Sequence, residues 1–464
     1  MEQNRMPMTQ WSWNPASHVP RINSRFFTFV MFLLLCAAPV IGQKALQEQK
    51  PEAVGLSSER LGRIDVLMNR MVDEKKMAGG IVLVARQGKI AYLKAFGLAD
   101  HGKTMVKDTL FRIASMSKPF TSMAIMLLYE EGRILLSDPI SKYIPEFKNP
   151  KVIEMLPKGQ NPPFKLVPAK REITIRDLLS HTSGLSYRFL ANWYPDPKHR
   201  QLASYYKEAG ISDGLSETDG TIGDMVKTLA RLPLYAQPGD VFEYGLSADV
   251  LGYLVEVVSG MTLADFMHQR IFQPLKMNDT YFYPPEEKLG RLSAVWISDG
   301  NGRIDKMTDG IKQEGDYVYS PSYQYKGPKT YYSGGGGLVS TASDYFRFCQ
   351  MLLNQGELDG VRLLSRKTVE LMTATNHIGD SDAKLLHGKG WKFGLGFAIE
   401  TDRGGDIDGG SVGVYEWAGI FSTRFSIDPR EKKITIFLSQ THPFALHFGI
   451  WDTITVLSNS AIID

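Results

Sequence analysis

A serine and a lysine that can act together stand three positions apart in Ser115-Met116-Ser117-Lys118, directly before an apolar helix. Residues with this spacing share one face of a helix, so their side chains can reach each other. An uncharged lysine amine can then take the serine proton and convert a weak hydroxyl into a nucleophile. The spacing alone is weak evidence because it is common, and a surface turn with a solvated lysine is the alternative.

The start of a buried helix would supply what this chemistry requires. Residues 120–128 are apolar on nearly every side, which is typical of a helix at the centre of a core. Pro119 fits only if the helix begins close to Ser115. The backbone N–H of Ser115 would then be free to bind an oxyanion. Burial and the positive helix end would lower the pKa of Lys118, as a base near neutral pH requires.

Strand-like segments lie at both ends of the chain, with helices and long loops between them. The first pair is predicted within 80–96, and the later ones at 395–399, 412–417, 421–427 and 434–438. We therefore predict an α/β fold of the α+β type. An antiparallel sheet is built from N- and C-terminal strands and flanked by helices, with a mainly helical insertion at about 120–330. The active site is expected in the cleft between the two parts.

Four sequence blocks together resemble one known family. Residues 111–118 (Phe-Arg-Ile-Ala-Ser-Met-Ser-Lys) are similar to the nucleophile motif of the serine β-lactamase-related family. That family includes class C β-lactamases, D-stereospecific peptidases such as D-aminopeptidases, and esterases of the penicillin-binding-protein type. Blocks at 136–145, 178–185 and 335–341 resemble its further motifs in the same order. The resemblance implies a β-lactamase/transpeptidase-like fold and an acyl-serine mechanism.

The resemblance also implies a catalytic tyrosine. The second motif of the family begins with tyrosine, and residues 238–244 place it at Tyr244. Tyr244 can exchange protons with Lys118 and deliver one to the leaving group; a core tyrosine that precedes a helix is the alternative. Penicillin-recognising members carry asparagine two positions later. Leu246 stands there and cannot bind a substrate amide through its side chain, although Ser247 is a candidate for partial replacement.

The third family motif, Lys-Thr-Gly on a sheet-edge strand, corresponds to Trp417-Ala418-Gly419. These three residues are therefore expected to bind substrate. The lysine of that motif supplies positive charge for the carboxylates of penicillins and peptidoglycan peptides, whereas Trp417 is neutral, as in esterase-like members. Arg424 could supply charge from nearby. The backbone N–H of Ile420 is expected to bind the oxyanion together with that of the serine.

The composition favours no nucleic acid, membrane or metal partner. The chain has 464 residues, 53 basic and 50 acidic, with a net charge of +3 and no run of like charge. It contains no His-Glu-x-x-His motif. The predicted chemistry needs no cofactor, so the expected partner is a small-molecule ester or peptide substrate. His181, in the 178–185 block, is interpreted as structural, and the oligomeric state is open.

The N-terminus predicts export. Arg21 and Arg25 precede an apolar run at 26–40, and small residues follow up to Gly42. This order is typical of a signal peptide over residues 1–42. An uncleaved anchor is the alternative, although the run is short for a bilayer span. The protein is therefore expected to be periplasmic or secreted.

The rest of the chain is interpreted as one catalytic domain. Residues 43–55 are predicted to be a linker, and residues 56–464 the serine hydrolase domain. Cleavage would leave only Cys349, so no internal disulfide is expected.

The preferred function is that of an exported serine hydrolase with carboxylesterase-type activity. The first alternative is a β-lactamase or a D,D-peptidase or D-aminopeptidase acting on cell-wall peptides; Trp417 and Leu246 count against it. The second is a non-catalytic binding protein of the same fold, against which the complete set of Ser115, Lys118 and Tyr244 counts.

Overall fold

The computed structural model describes residues 48–194, 196–383, 390–401, 409–444 and 448–464. The predicted signal peptide lies outside these ranges. Within them, no single helix is long and apolar enough to cross a membrane; by length and composition alone, one bent pair, Ser247–Ser259 with Leu263–Phe272, meets that requirement.

The helices of the described ranges are α1 (Ser58–Asp73), α2 (Lys118–Glu130), α3 (Ile175–Leu179), α4 (Leu190–Trp193), α5 (Pro197–Glu208), α6 (Ile222–Leu229), α7 (Ser247–Ser259), α8 (Leu263–Met267), α9 (Glu286–Leu289), α10 (Ala342–Leu353), α11 (Arg366–Thr373) and α12 (Phe448–Ser460). Short 3₁₀ helices lie at Pro51–Val54, Ala114–Ser117, Ile140–Lys142 and Pro145–Phe147, and a π-helical turn at His268–Phe272.

The strands are β1 (Gly79–Arg86), β2 (Lys89–Asp100), β3 (Lys103–Thr104), β4 (Phe111–Arg112), β5 (Lys151–Met155), β6 (Phe164–Pro168), β7 (Trp296–Ser298), β8 (Ile304–Lys306), β9 (Lys312–Glu314), β10 (Tyr317–Tyr319), β11 (Val339–Ser340), β12 (Glu357–Leu358), β13 (Val361–Arg362), β14 (Trp391–Phe393), β15 (Ala398–Glu400), β16 (Tyr415–Gly419), β17 (Thr423–Asp428), β18 (Lys433–Ser439) and β19 (Thr441–His442).

The main sheet joins the two ends of the chain. Its order is β14-β15-β16-β17-β18-β1-β2-β3, and every neighbouring pair is antiparallel. The N-terminal hairpin β1–β2 turns at Gln87 and Gly88, both with positive φ, and β1 pairs with C-terminal β18. The predicted antiparallel sheet from distant parts of the chain is therefore confirmed. Between its halves, residues 120–330 hold helices α2 to α9 together with short hairpins.

The two faces of the sheet pack against different helices. Ile81 and Leu83 of β1 contact the large core that contains α2 and α10, whereas the intervening Val82 and Val84 contact a second cluster with α1 and α12. This alternation follows from the two-residue period of a strand. It buries β1 on both faces and places α2 inside the protein, as the apolar sequence of that helix predicts.

Three predicted boundaries differ from the structure, and the first is the strand predicted at 395–399, which is observed at Ala398–Glu400. The strand predicted at 412–417 is observed at Tyr415–Gly419, because Gly413 has φ +96° and Val414 N–H closes a turn onto the carbonyl of Ser411. The described part of the predicted linker packs against the body: Gln49 N–H donates to the Ile90 carbonyl over 2.8 Å, and Val54 is buried. The stretch is mostly polar, and the contact that holds it is the burial of Val54 in the cluster formed with α1 and α12.

Candidate active site

Ser115 lies in a tight turn that leads into the central helix. The 3₁₀ helix Ala114–Ser117 connects β4 to α2, which begins at Lys118. Ala114 has φ +42°, a conformation that is uncommon without glycine and is often found at functional sites. Ile113 N–H donates to the Leu338 carbonyl over 3.0 Å. The turn is thereby tied to the 335–341 block, and Ser115 remains half-buried.

Lys118 is almost completely buried beside the serine. Its Nζ lies 3.1 Å from Ser115 Oγ and donates to the Gly335 carbonyl over 2.7 Å. Only 2% of its surface is exposed. Burial lowers the pKa of Lys118 to about 7, and the negative charge of Asp249 opposes this shift. A substantial fraction of the amine is therefore uncharged at neutral pH.

Tyr244 approaches the same oxygen from another direction. Its hydroxyl donates to Ser115 Oγ over 2.8 Å, and Lys118 Nζ lies 4.7 Å from its ring centroid. Burial raises the pKa of Tyr244 above its ordinary value, partly offset by the hydrogen bond to Ser115. The phenol therefore stays protonated at neutral pH. The structure thus brings together the three side chains that the sequence analysis singled out, Ser115, Lys118 and Tyr244.

The 178–185 block supports Tyr244 from behind. The carbonyl of His181 accepts the Glu243 N–H over 2.7 Å, and the His181 ring packs 4.9 Å from the Tyr244 ring. A Cβ on Gly245 would lie 2.4 Å from the Leu185 carbonyl, so the two segments touch at backbone level. Burial holds the pKa of His181 well below its usual value, so the imidazole is neutral. These contacts fix the tyrosine against the serine.

The residues predicted to bind substrate line one wall of the cavity at Ser115. Trp417, Ala418, Gly419 and Ile420 all border it. The neighbouring strand β15 pairs with β16 only at positions 415 and 416. Among the described residues, the outer edge of 417–419 therefore has no strand partner and is open to an extended ligand. A Cβ on Gly419 would lie 2.3 Å from the Ile113 carbonyl, so this strand presses closely on the turn that carries the serine.

Arg424 does not supply charge to this cavity. Its Nε donates to Glu416 Oε1 over 3.0 Å, and its guanidinium lies 4.9 Å from the Trp451 ring centroid. It borders a separate cavity that contains Lys433. Ser247 is likewise unable to replace the missing asparagine, because it is fully buried and bonded to Ser183 Oγ at 2.8 Å. Both expectations from the sequence are therefore wrong.

The cavity contains further residues that the sequence analysis missed. Its volume is about 30 Å³, and its additional described lining consists of Tyr187, Phe189, Trp193, Asp213, Leu215, Gly335 and Phe444. A larger groove of about 310 Å³ adjoins it through Trp193, Ile420 and Phe444. No sequence motif marks the loop that carries Asp213. Of these additional lining residues, only Gly335 belongs to a block that the sequence analysis named, the glycine-rich block at 335–341. Within the described ranges, no group of three or more His, Cys, Asp or Glu residues could hold a metal ion.

Comparisons with known proteins identify the family of the chain. A family model described as Beta-lactamase matches residues 64–455. Esterase EstB of Burkholderia gladioli is 31% identical over 82% of this chain and 90% of its own. A putative D-alanyl-D-alanine carboxypeptidase of Escherichia coli K12 is 27% identical over 87% of each chain. The solved structure of EstCE1, a hydrolase with promiscuous acyltransferase activity, has a TM-score of 0.72 and 29% identity, covering 86% of this chain and 99% of that one.

Proposed function

The chain belongs to the Beta-lactamase family of serine hydrolases, and we propose that it hydrolyses carboxylic esters through an acyl-serine intermediate at Ser115. One observation carries the proposal: Ser115 Oγ lies within hydrogen-bond distance of both Lys118 Nζ, at 3.1 Å, and Tyr244 Oη, at 2.8 Å. Two of the similar proteins, EstB and EstCE1, are named as an esterase and a hydrolase, which supports the choice of ester substrates.

The opposite pKa shifts assign the proton-transfer roles. A lysine with a pKa of about 7 can accept a proton, whereas a tyrosine whose pKa is raised by burial can only donate one at neutral pH. Lys118 Nζ takes the Ser115 proton as Oγ attacks the ester carbonyl. The backbone N–H groups of Ser115 and Ile420, which border the same cavity, stabilise the resulting oxyanion.

The leaving alkoxide then receives a proton from Tyr244, which recovers one from Lys118. The bond between the carbonyl carbon and the alkoxide oxygen breaks, and the acyl group remains on Oγ. Water then loses a proton to the same pair as its oxygen attacks the acyl carbonyl carbon. The bond from that carbon to Ser115 Oγ breaks, Oγ takes the proton back from the pair, and the carboxylic acid leaves. In this scheme, Ser115 and Tyr244 border the cavity and Lys118 is buried directly beside Ser115, so the proton-transfer groups are shielded from water and their electrostatic interactions are strong.

The polarity of the cavity favours esters over carboxylate-bearing substrates. Trp417 is neutral, and no lysine or arginine occurs among the described residues that line the cavity. Asp213 adds a carboxyl group there, which would repel an anionic substrate. The carboxypeptidase relative favours the alternative of a β-lactamase or cell-wall peptidase. The described lining of the cavity, however, offers no cation for the carboxylate of such a substrate. A non-catalytic role would leave the convergence of three reactive side chains without a purpose.

Export remains part of the proposal and rests on the sequence of residues 1–42 alone. We propose a periplasmic or secreted enzyme that needs no metal or cofactor and whose only required partner is its small substrate.

The test combines a covalent probe with three substrates. The purified mature protein is incubated with a fluorophosphonate, p-nitrophenyl butyrate and a chromogenic cephalosporin. Ser115→Ala is compared with the control Ser411→Ala. Ser411 is a different serine, which lies in the Gly-x-Ser-x-Gly sequence at 409–413. Labelling and ester turnover that disappear only in Ser115→Ala support the proposal. Faster turnover of the cephalosporin than of the ester would favour a β-lactamase, and an unlabelled wild-type protein would favour a binding role.

A further inference from the structure

Asp213 has an unusual position at the edge of the Ser115 cavity. It borders the cavity, yet only 4% of its surface is exposed. Its Oδ1 accepts the Arg188 N–H over 3.3 Å. Its Oδ2 has no hydrogen-bond partner among the described residues. One carboxyl oxygen is thus buried and unsatisfied at the wall of the proposed active site.

Such an oxygen is costly to the fold. A buried polar atom without a partner loses the hydration of the unfolded chain and gains nothing in return. No described cation forms an ion pair with Asp213, and the Nε of nearby Arg188 donates instead to the Asp316 carbonyl over 3.0 Å. Burial raises the pKa of Asp213 to about 7, with Arg188 opposing and the carboxylates of Asp249 and Asp316 contributing to the rise. The fold therefore bears an energetic cost that its own contacts do not explain.

The loop around Asp213 is held rigidly. Gly214 has φ +74°, and a Cβ there would lie 2.3 Å from Ser333 Oγ. Ser333 in turn donates to Asp249 Oδ1 over 2.7 Å, next to the Gly335 segment that accepts from Lys118. The carboxyl group is consequently fixed by the same segment that orients the proposed base. Rigid support of this kind is what a binding group requires.

The surroundings of Asp213 suit a ligand that donates a hydrogen bond. Tyr187, Phe189 and Trp193 border the same cavity. Aromatic faces attract cations and exclude water, so they strengthen a contact between a carboxylate and a donor. Among the described lining residues, Asp213 supplies the one carboxyl group. An ammonium or hydroxyl group on the substrate would satisfy the unpaired oxygen.

We infer that Asp213 determines substrate specificity by accepting a hydrogen bond from an ammonium or hydroxyl group of the ester that reacts at Ser115. This inference rests on the proposed esterase function. The substrate class is therefore an amino or hydroxy ester rather than a purely aliphatic one. The donor group lies on the acyl or on the alcohol part, within reach of the small cavity, while bulkier parts extend into the neighbouring groove.

The test uses isosteric substrates. On the acyl side, p-nitrophenyl esters of butyrate, β-hydroxypropionate and β-alanine differ only in a terminal methyl, hydroxyl or ammonium group. On the alcohol side, propyl acetate is compared with hydroxyethyl acetate. The kcat/KM ratio of polar to apolar ester is measured for wild type, Asp213→Asn, Asp213→Leu and Leu254→Met, an apolar control that is buried in α7 outside the cavity lining. If a substitution at Asp213 also alters the reactivity of Lys118, the rates of both esters in a pair change by the same factor. The ratio of their kcat/KM values is then unaffected.

We expect the wild type to prefer a polar ester in at least one series. Asp213→Leu should reduce that ratio by about ten- to a hundredfold, the range for a hydrogen bond to a charged group, whereas Leu254→Met should leave the ratio unchanged. Asp213→Asn distinguishes the two donors, because it should lower the ratio strongly for the ammonium ester and weakly for the hydroxyl ester. Ratios that are equal in wild type and Asp213→Leu in both series would overturn the inference.

A stability measurement excludes a purely structural role. The pKa of Asp213 is raised in the folded state, so its cost is absent below the unfolded value of about 3.8 and complete above about 7. Asp213→Asn keeps an acceptor for Arg188 and should raise Tm more at pH 8 than at pH 4.5. A lower Tm at both pH values would assign Asp213 to support of the fold. Turnover of p-nitrophenyl butyrate by the wild type tests the proposed esterase function independently of Asp213. If this ester is not hydrolysed, the proposed function and the inference both fail.

Discussion

The amine of Lys118 is held by a neutral group, the carbonyl of Gly335, over 2.7 Å. No carboxylate of the described residues forms an ion pair with it, and Asp249 acts only from a greater distance. A buried ammonium with a carbonyl partner is poorly compensated, so the uncharged amine is favoured. The glycine-rich block thus directs the lysine toward Ser115 without stabilising its charge.

The pH dependence of ester hydrolysis should follow the titration of Lys118. Because the amine must be uncharged to accept a proton and its pKa is lowered to about 7, kcat/KM should rise tenfold per pH unit below 7 and level off above it. The rise should persist in Asp213→Asn, which removes another group with a pKa of about 7. Initial rates between pH 5 and 9 provide the measurement. A flat profile in that range would exclude lysine as the base.

Replacement of Lys118 should abolish turnover without unfolding the protein. Lys118→Ala should reduce kcat by at least about 10³-fold, as for other residues that act as a unit with a nucleophile. Lys433 is the matched control because it is also buried, with a pKa lowered to about 8 by burial, but borders a different cavity. Lys433→Met should keep its ester turnover. Near-wild-type rates in Lys118→Ala would refute the assignment.

The same lysine should make stability depend on pH. Its pKa is about 7 in the folded state and about 10.4 in the unfolded chain. The unfolded state therefore binds more protons between these values, and the cost of the buried charge is complete below pH 7 and disappears as the pH rises toward 10. Lys118→Met should raise Tm more at pH 6 than at pH 9. An equal change in Tm at both pH values would contradict this linkage.

Removal of the Tyr244 hydroxyl should matter most for poor leaving groups. Tyr244→Phe keeps the ring contacts with Trp417 and His181 but removes the proton donor 2.8 Å from Ser115 Oγ. Hydrolysis of alkyl esters should fall by about 10²–10⁴-fold. The loss should be much smaller for p-nitrophenyl esters, because p-nitrophenolate leaves without protonation. Tyr331→Phe, at a buried tyrosine outside the cavity lining, is the control. Equal losses for both ester classes would reject the role of Tyr244 as acid.

An added methyl group at Gly419 should disable the site by displacing a strand. In Gly419→Ala the Cβ would meet the Ile113 carbonyl at 2.3 Å and Thr423 Oγ1 at 2.4 Å, so β16 must move away from the serine turn. If the Ile420 N–H moves with it, kcat should fall by about 10²–10³-fold, with a lower Tm. Gly62→Ala, where a Cβ meets nothing within 4 Å, should instead stabilise α1 by about 0.5–1 kcal/mol. Wild-type activity in Gly419→Ala would show that this contact is not needed.

The sequence singled out Ser115, Lys118 and Tyr244, which the structure brings together, because each belongs to a local pattern. Ser115 and Lys118 stand directly before an apolar run, and Tyr244 begins a second motif that the preceding residues 238–243 mark. The serine β-lactamase-related family and the fold are confirmed by the family match and by solved relatives. The features of the site that the sequence did not predict depend on tertiary structure. The orientation of Arg424 is set by strand register and by its pairing with Glu416, which no local pattern encodes.

Asp213 was missed for a different physical reason. An aspartate followed by glycine normally indicates an exposed turn. Only the three-dimensional packing of Gly214 against Ser333 carries that turn inside and buries its carboxyl group. The packing of residues 48–55 was not predicted for a similar reason, since the contact between Gln49 and Ile90 joins segments whose proximity a one-dimensional pattern does not contain.

The pairing of β1 with β18 sets the order in which the proposed active site can be assembled. Val82 of the N-terminal hairpin lies opposite Phe437, and Trp417 and Ile420 belong to the same late segment. A nascent chain that has only reached the serine and the lysine has neither the strand that closes the sheet nor the proposed second oxyanion donor. Reactivity therefore cannot emerge gradually during synthesis; it should arise in one step, after the ribosome has released the last strands.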